Sequence, residues 1–215
     1  MKRSPFLPVR EPFNAYSHGL GLLLALLGTL ALLLLSQGSP AKLVGALAFG
    51  LTMTLMYAAS TLYHALRVPQ TALLWWRKLD HAAIFLFIAG TYTPVLLLAL
   101  EPAWRPWAVG LVWGLAGLGA AQRLVSLKAP RWLYTAGYLG LGWFSLLLLP
   151  KLALGPLALG GLLAGGLAYS LGALVYATRW PNPLPQRVGF HGLWHLFVLL
   201  GSAGMYLAVL ALYLQ

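Results

Sequence analysis

An all-α bundle of seven transmembrane helices is the fold class this sequence predicts, and three observations predict it. The 215 residues are 60% hydrophobic and only 8% charged, whereas soluble domains carry about 25% charged residues. Apolar runs of roughly 20 residues, enough to cross about 30 Å of hydrocarbon, recur along the whole chain. The connections between them are short and rich in proline and glycine, which leaves no stretch for a soluble domain.

The spans follow in order. A basic tail, residues 1–13, precedes span one at 14–36. That span is longer than a signal-peptide core, contains Asn14, Ser17 and His18, and lacks a convincing small-residue cleavage site, so it reads as a retained helix. Span two, 42–66, follows "SQGSPAK", and span three, 79–100, follows "RVPQTALLWWRK". Span four, 104–126, comes after "LEPAWRP", and span five, 132–150, after "SLKAPR". Span six, 155–178, carries "GGLLAGGLAYS", whose small residues suit close helix packing. Span seven, 190–214, follows "PNPLPQR". Trp75, Trp76, Trp104 and Trp107 fall at span ends, where indole rings anchor in the interface. Cysteine is absent, which excludes disulfides and thiolate metal ligands.

A net charge of +11 raises the question of nucleic acid, and the placement of the charge answers it. All Lys and Arg residues except Lys42, Arg105 and Lys151 lie on one set of loops. Loops rich in these residues stay in the cytoplasm, so the expectation is a cytoplasmic N-terminus, an outer C-terminus and no nucleic-acid partner. A rhodopsin-like receptor would have the reverse orientation, and a retinal protein would need a lysine in span seven.

Orientation sets the depth of the polar residues. At about 1.5 Å per helical residue, His64 lies about 33 Å from Lys42, Asp80 about 32 Å from Glu101, and His195 about 30 Å from Gln215. Three residues from three spans therefore share one layer near the inner boundary. His18 comes out near it, and His191 lies one turn closer to the cytoplasm than His195. On this count Asp80 is the only acid at that depth.

Spacing refines the picture. Ser60 and His64 in "STLYHAL" are four apart, as are His191 and His195 in "HGLWH", so each pair shares a helix face. Three neutral imidazoles from two helices match a catalytic zinc shell, which leaves a fourth position for water whose pKa the metal lowers toward about 7. Asp80 is placed to accept that water's proton or to orient it. Ser60, one turn deeper than His64, is placed to donate to a carbonyl oxyanion. Other readings stand beside these: Asp80 paired with Lys78 or Arg77, Ser60 bonded back to a helical carbonyl, and haem between the paired histidines. His81, about 100° around the helix from Asp80, is expected to serve packing or lipid headgroups. His18 is expected to sit behind the ligands. Position 192 is glycine, so the HExxH arrangement with its helical glutamate base is excluded.

"NAYSHGLG", "STLYHAL", "LDHAAIFLFIAGTYTP" and "HGLWHLF" together resemble the bacterial hemolysin III family, the prokaryotic branch of the progestin and adiponectin receptor group. The resemblance covers the chain from about residue 11, with the motifs in order and each on its expected span. It implies that His64, His191 and His195 are zinc ligands, that Asp80 lies near the metal-bound water, and that Ser60 is a neighbouring polar group. It also implies kinship with alkaline ceramidases, which hydrolyse a lipid amide, and residence in the bacterial inner membrane. The expected function is zinc-dependent hydrolysis of an amide or ester in a lipid-like substrate. The alternatives are a receptor or sensor with structural zinc, and a pore-former, although no charged ring or polar stripe of the kind that lines a channel is present.

Overall fold

The computed structural model describes residues 9–215; most of the basic tail, including Lys2 and Arg3, lies outside them. The helices are α1 (Pro12–Leu34), α2 (Pro40–Ala65), α3 (Gln70–Ala99), α4 (Arg105–Val125), α5 (Arg131–Trp143), α6 (Ser145–Leu148), α7 (Pro156–Thr178) and α8 (Gly189–Tyr213). Several starts are written locally. Proline opens α1, α2 and α7, where its missing N–H is no loss and its fixed φ suits the first turn. Ser39 also caps α2 by accepting from the Lys42 amide at 3.3 Å.

Seven segments are long and apolar enough to cross a membrane, α5 and α6 together forming the fifth. The bundle presents leucine outward: Leu20, Leu23, Leu24, Leu27 and Leu30 on α1 are all more than half exposed. So much contiguous apolar surface is stable only against lipid. The chain is a multi-pass integral membrane protein.

Two elements depart from the sequence expectation. α3 begins at Gln70 rather than at residue 79, so all of "QTALLWWRK" is helix. Its residues are good helix formers, and the helix runs on past the apolar stretch into the interfacial zone, where the hydropathy that marked its start no longer reports it. The fifth span is broken at Phe144, continuing as α6 and a 3-10 turn over Leu149–Lys151. Gly140, Gly142 and Pro150 weaken the helix here, and the Tyr92 hydroxyl, shared between the carbonyls of Leu141 and Gly142 at 2.8 Å, satisfies groups that the break releases.

Sequential helices pack as antiparallel neighbours, α8 closes onto α1, and α3 touches α2, α4, α5 and α8. The α7–α8 contact uses the small residues as expected: a β-carbon on Gly204 would lie 2.7 Å from the Gly165 amide nitrogen, and one on Gly161 2.8 Å from that of Ala208. Backbones this close leave no room for side chains between them. At one end, the starts of α1, α3, α5 and α8 meet the ends of α2, α4 and α7, tied by Arg10 N–H to the Ala65 carbonyl at 3.2 Å and Lys78 Nζ to the Val125 carbonyl at 3.2 Å. At the other end Lys42 Nζ donates to the Tyr213 carbonyl at 2.8 Å. The histidines lie at the first of these ends.

Candidate metal centre

His64 sits on the last turn of α2 and His191 and His195 on the first two turns of α8. One ligand atom from each falls within 4.8 Å of the others. His64 Nε2 and His191 Nε2 are 3.2 Å apart, close to the roughly 3.3 Å that separates two corners of a tetrahedral shell with bonds of about 2.05 Å. His64 and His195 are each 1% exposed. Two of the three outward nitrogens have partners: His64 Nδ1 meets Glu11 Oε2 at 2.6 Å and His195 Nδ1 meets Ser17 Oγ at 3.3 Å. Inner nitrogens converging while outer ones are held is the arrangement of ligating histidines. This buried trio can hold a metal ion.

The remaining predicted residues gather around it. His18 stacks on His195 with ring centroids 3.6 Å apart, and its Nδ1 lies 2.8 Å from Ser60 Oγ. It therefore packs against the trio without joining it. Asp80 lines a cavity together with Ser60, His191 and His195. Among the described residues the ion pairs are Arg10–Glu11 and His64–Glu11, so the alternative in which Asp80 pairs with Lys78 or Arg77 is not what forms. Lys78 instead lies over the Trp75 ring at 4.6 Å. His81 is outside the trio and faces Tyr138, whose hydroxyl is 3.4 Å from His81 Nδ1 and donates to the His81 carbonyl at 3.0 Å. At Gly192 a β-carbon would come within 2.8 Å of the Phe13 ring, so the position where HExxH enzymes carry glutamate is filled by α1.

Two cavities meet in this layer, sharing Asp80, His81, Tyr176 and His191. The first, about 170 Å³, is mostly apolar and reaches Leu96, Leu149, Leu159 and Leu163. From Asp80 to Leu96 it extends about 24 Å along α3. Leu146 on α6 and Leu163 on α7 both line it and are 48% and 40% exposed. The second cavity, about 510 Å³, is mixed in lining, open at the helix ends and bordered by Arg10, Arg77, Arg131 and Arg187.

Glu11 is the residue that counting by depth missed. It belongs to the tail in sequence, yet contacts His64, so Asp80 is not the only acid in the layer. Its carboxyl is pushed up by burial and pulled down further by the His64 hydrogen bond and charge, then by Asn14 and Arg10, settling at about 2. The signal that could have found it is the spacing Glu11, Asn14, His18, which puts all three on the face that bears the histidine layer.

A seven-span membrane protein with three histidines converging on one buried point is the class that fold and site define. Comparison of the chain gives the family. The model described as "Haemolysin-III related" matches residues 6–206. The chain is similar to "Hemolysin-3 homolog" of Bacillus subtilis (strain 168), 35% identical over 205 residues covering 93% of this chain and 92% of that one. It is also similar to "Hemolysin-3" of Bacillus cereus, 34% identical over 205 residues covering 93% and 90%. The chain belongs to the haemolysin-III-related family.

Proposed function

We propose that this protein is a zinc-dependent hydrolase of an amide or ester bond in a lipid-like substrate, working at the cytoplasmic side of a bacterial inner membrane. The observation that carries the reading is the position of His191, His195, Asp80 and Ser60 at one end of a long, mostly apolar cavity whose wall includes the partly exposed Leu146 and Leu163. An acyl chain entering between α6 and α7 would lie along Leu163, Leu149 and Leu96, with its polar linkage brought to the layer of Asp80 and Ser60. Zinc is favoured over other metals because three imidazoles with an open fourth position suit it. Held by His64, His191 and His195, it would supply Lewis acidity and hydroxide near neutral pH.

The chain's own groups supply the rest. Asp80, free of an ion pair, accepts the proton of the attacking water. Ser60 donates to the carbonyl oxygen as charge develops there. For that its hydrogen must be free, which the Nδ1–H tautomer of His18 provides by donating to Ser60 Oγ. Loop charge supports the cytoplasmic placement. The names of the Bacillus relatives make pore formation the competing reading, but the cavity is apolar and offers ions no continuous polar path.

The test is a screen of detergent-purified protein against ceramides, acyl amides and phospholipids, followed by Asp80→Asn on any substrate found. An amide can hydrogen-bond the water without taking its proton, so turnover is expected to fall by about 10² to 10⁴ with metal retained. No turnover of any substrate, or parental turnover in the variant, contradicts the mechanism.

A further inference from the structure

We infer that Glu11 is a positioning residue of the metal centre, holding His64 by its outer nitrogen so that Nε2 faces the ion; this rests on the three histidines being ligands. Glu11 stands immediately before α1, where a short polar side chain would cap the helix. It makes no cap bond. Its Oε2 instead accepts from His64 Nδ1 at 2.6 Å.

Several contacts hold it there. The Glu11 amide donates to the His64 carbonyl at 3.0 Å, one of the end-of-helix acceptors that α2 leaves open. Asn14 Nδ2 donates to Oε2 at 2.9 Å. Arg10 donates to Oε1 and to the Tyr63 carbonyl, and its guanidinium lies 4.7 Å over the Tyr63 ring. Oε1 thus serves Arg10, and Oε2 is left for His64 and Asn14.

A carboxylate accepts only, so it fixes the hydrogen of His64 on Nδ1 and leaves the Nε2 lone pair directed at the cluster. Its negative charge makes that nitrogen a stronger donor. The other two histidines have no carboxylate partner among the described residues. His195 has only neutral partners, the Ser17 hydroxyl 3.3 Å from Nδ1 and the Asn14 backbone, and among the described residues His191 Nδ1 has no hydrogen-bond partner. Among the described residues Glu11 is the one charged group hydrogen-bonded to any of the three histidines.

The test is zinc affinity of the detergent-purified chain, measured by competition with a chromophoric chelator, for the parent, Glu11→Gln, Glu11→Asp, Glu11→Ala and His64→Ala. Removing such a partner is expected to weaken zinc binding about 10- to 100-fold, most in Glu11→Ala. Glu11→Gln keeps an acceptor but no charge and should fall between Glu11→Ala and the parent; Glu11→Asp should recover part of the affinity. The melting temperature of zinc-free Glu11→Gln should stay near that of the zinc-free parent. Parental affinity in Glu11→Ala overturns the inference, as does a loss in Glu11→Gln matched by lower zinc-free stability. A parent without zinc, or a His64→Ala variant that binds like the parent, overturns the metal reading itself.

Discussion

At the scale of single residues, the unequal roles of Asp80 and Ser60 can be separated. Ser60→Ala should slow hydrolysis less than Asp80→Asn, because zinc polarises the same carbonyl oxygen while nothing in the layer replaces the proton acceptor that faces the cavity. Steady-state rates of the two variants on one substrate check this, and a larger loss in Ser60→Ala would reverse the assignment. The histidine layer was legible because α-helical rise converts sequence distance into depth, and because four-residue spacing puts pairs on one face. Glu11 was not legible that way. It precedes the first span, and although its spacing from Asn14 and His18 puts it on their face, its pairing with His64 comes from a backbone link between the start of α1 and the end of α2, a tertiary contact that spacing alone does not show. Arg123 is a second case. Counted among the loop charges, it is 1% exposed with its guanidinium 4.4 Å over the Tyr134 ring, a stacking partner that lies on another helix.

At the scale of elements, the glycine seam between α7 and α8 sets how closely α8 can bring His191 and His195 to the rest of the bundle. Gly204→Ala places a methyl 2.7 Å from the Gly165 amide nitrogen, and such overpacking costs about 1–3 kcal/mol. Gly117→Ala, inside α4 and with nothing within 4 Å of its β-carbon, should not destabilise and is expected to gain up to about 1 kcal/mol from helix propensity. Thermal unfolding in one detergent compares them, and equal melting temperatures would show that the seam is not tight. Spans one, two, four, six and seven were readable to within a few residues because hydropathy ends where each of those helices ends. α3 was misread at its start because a helix can outrun the hydrocarbon. The break at Phe144 depends on the Tyr92 hydroxyl reaching across from α3, and nothing in the local pattern announces it.

At the scale of the whole molecule, topology and cavity together determine from where a substrate can arrive. A reporter fused after Gln215 should lie outside the cytoplasm, because the basic loops are held within it. A cytoplasmic reporter would move the histidine layer to the other leaflet. Filling the apolar cavity should also separate binding from chemistry. Leu163→Trp, in the partly exposed wall of the cavity, is expected to raise KM for long-chain substrates while leaving zinc content unchanged; an unchanged KM would mean that the acyl chain takes another path.

The central claim is that His64, His191 and His195 form a zinc centre inside a membrane bundle, and metal analysis of the purified chain tests it most directly. The expected result is about one zinc per chain in the parent, in His81→Ala and in Asp80→Asn, with sharp loss in His64→Ala, His191→Ala and His195→Ala, since two ligands of three leave an incomplete shell. A parent without zinc, or equal zinc in all six proteins, would contradict it.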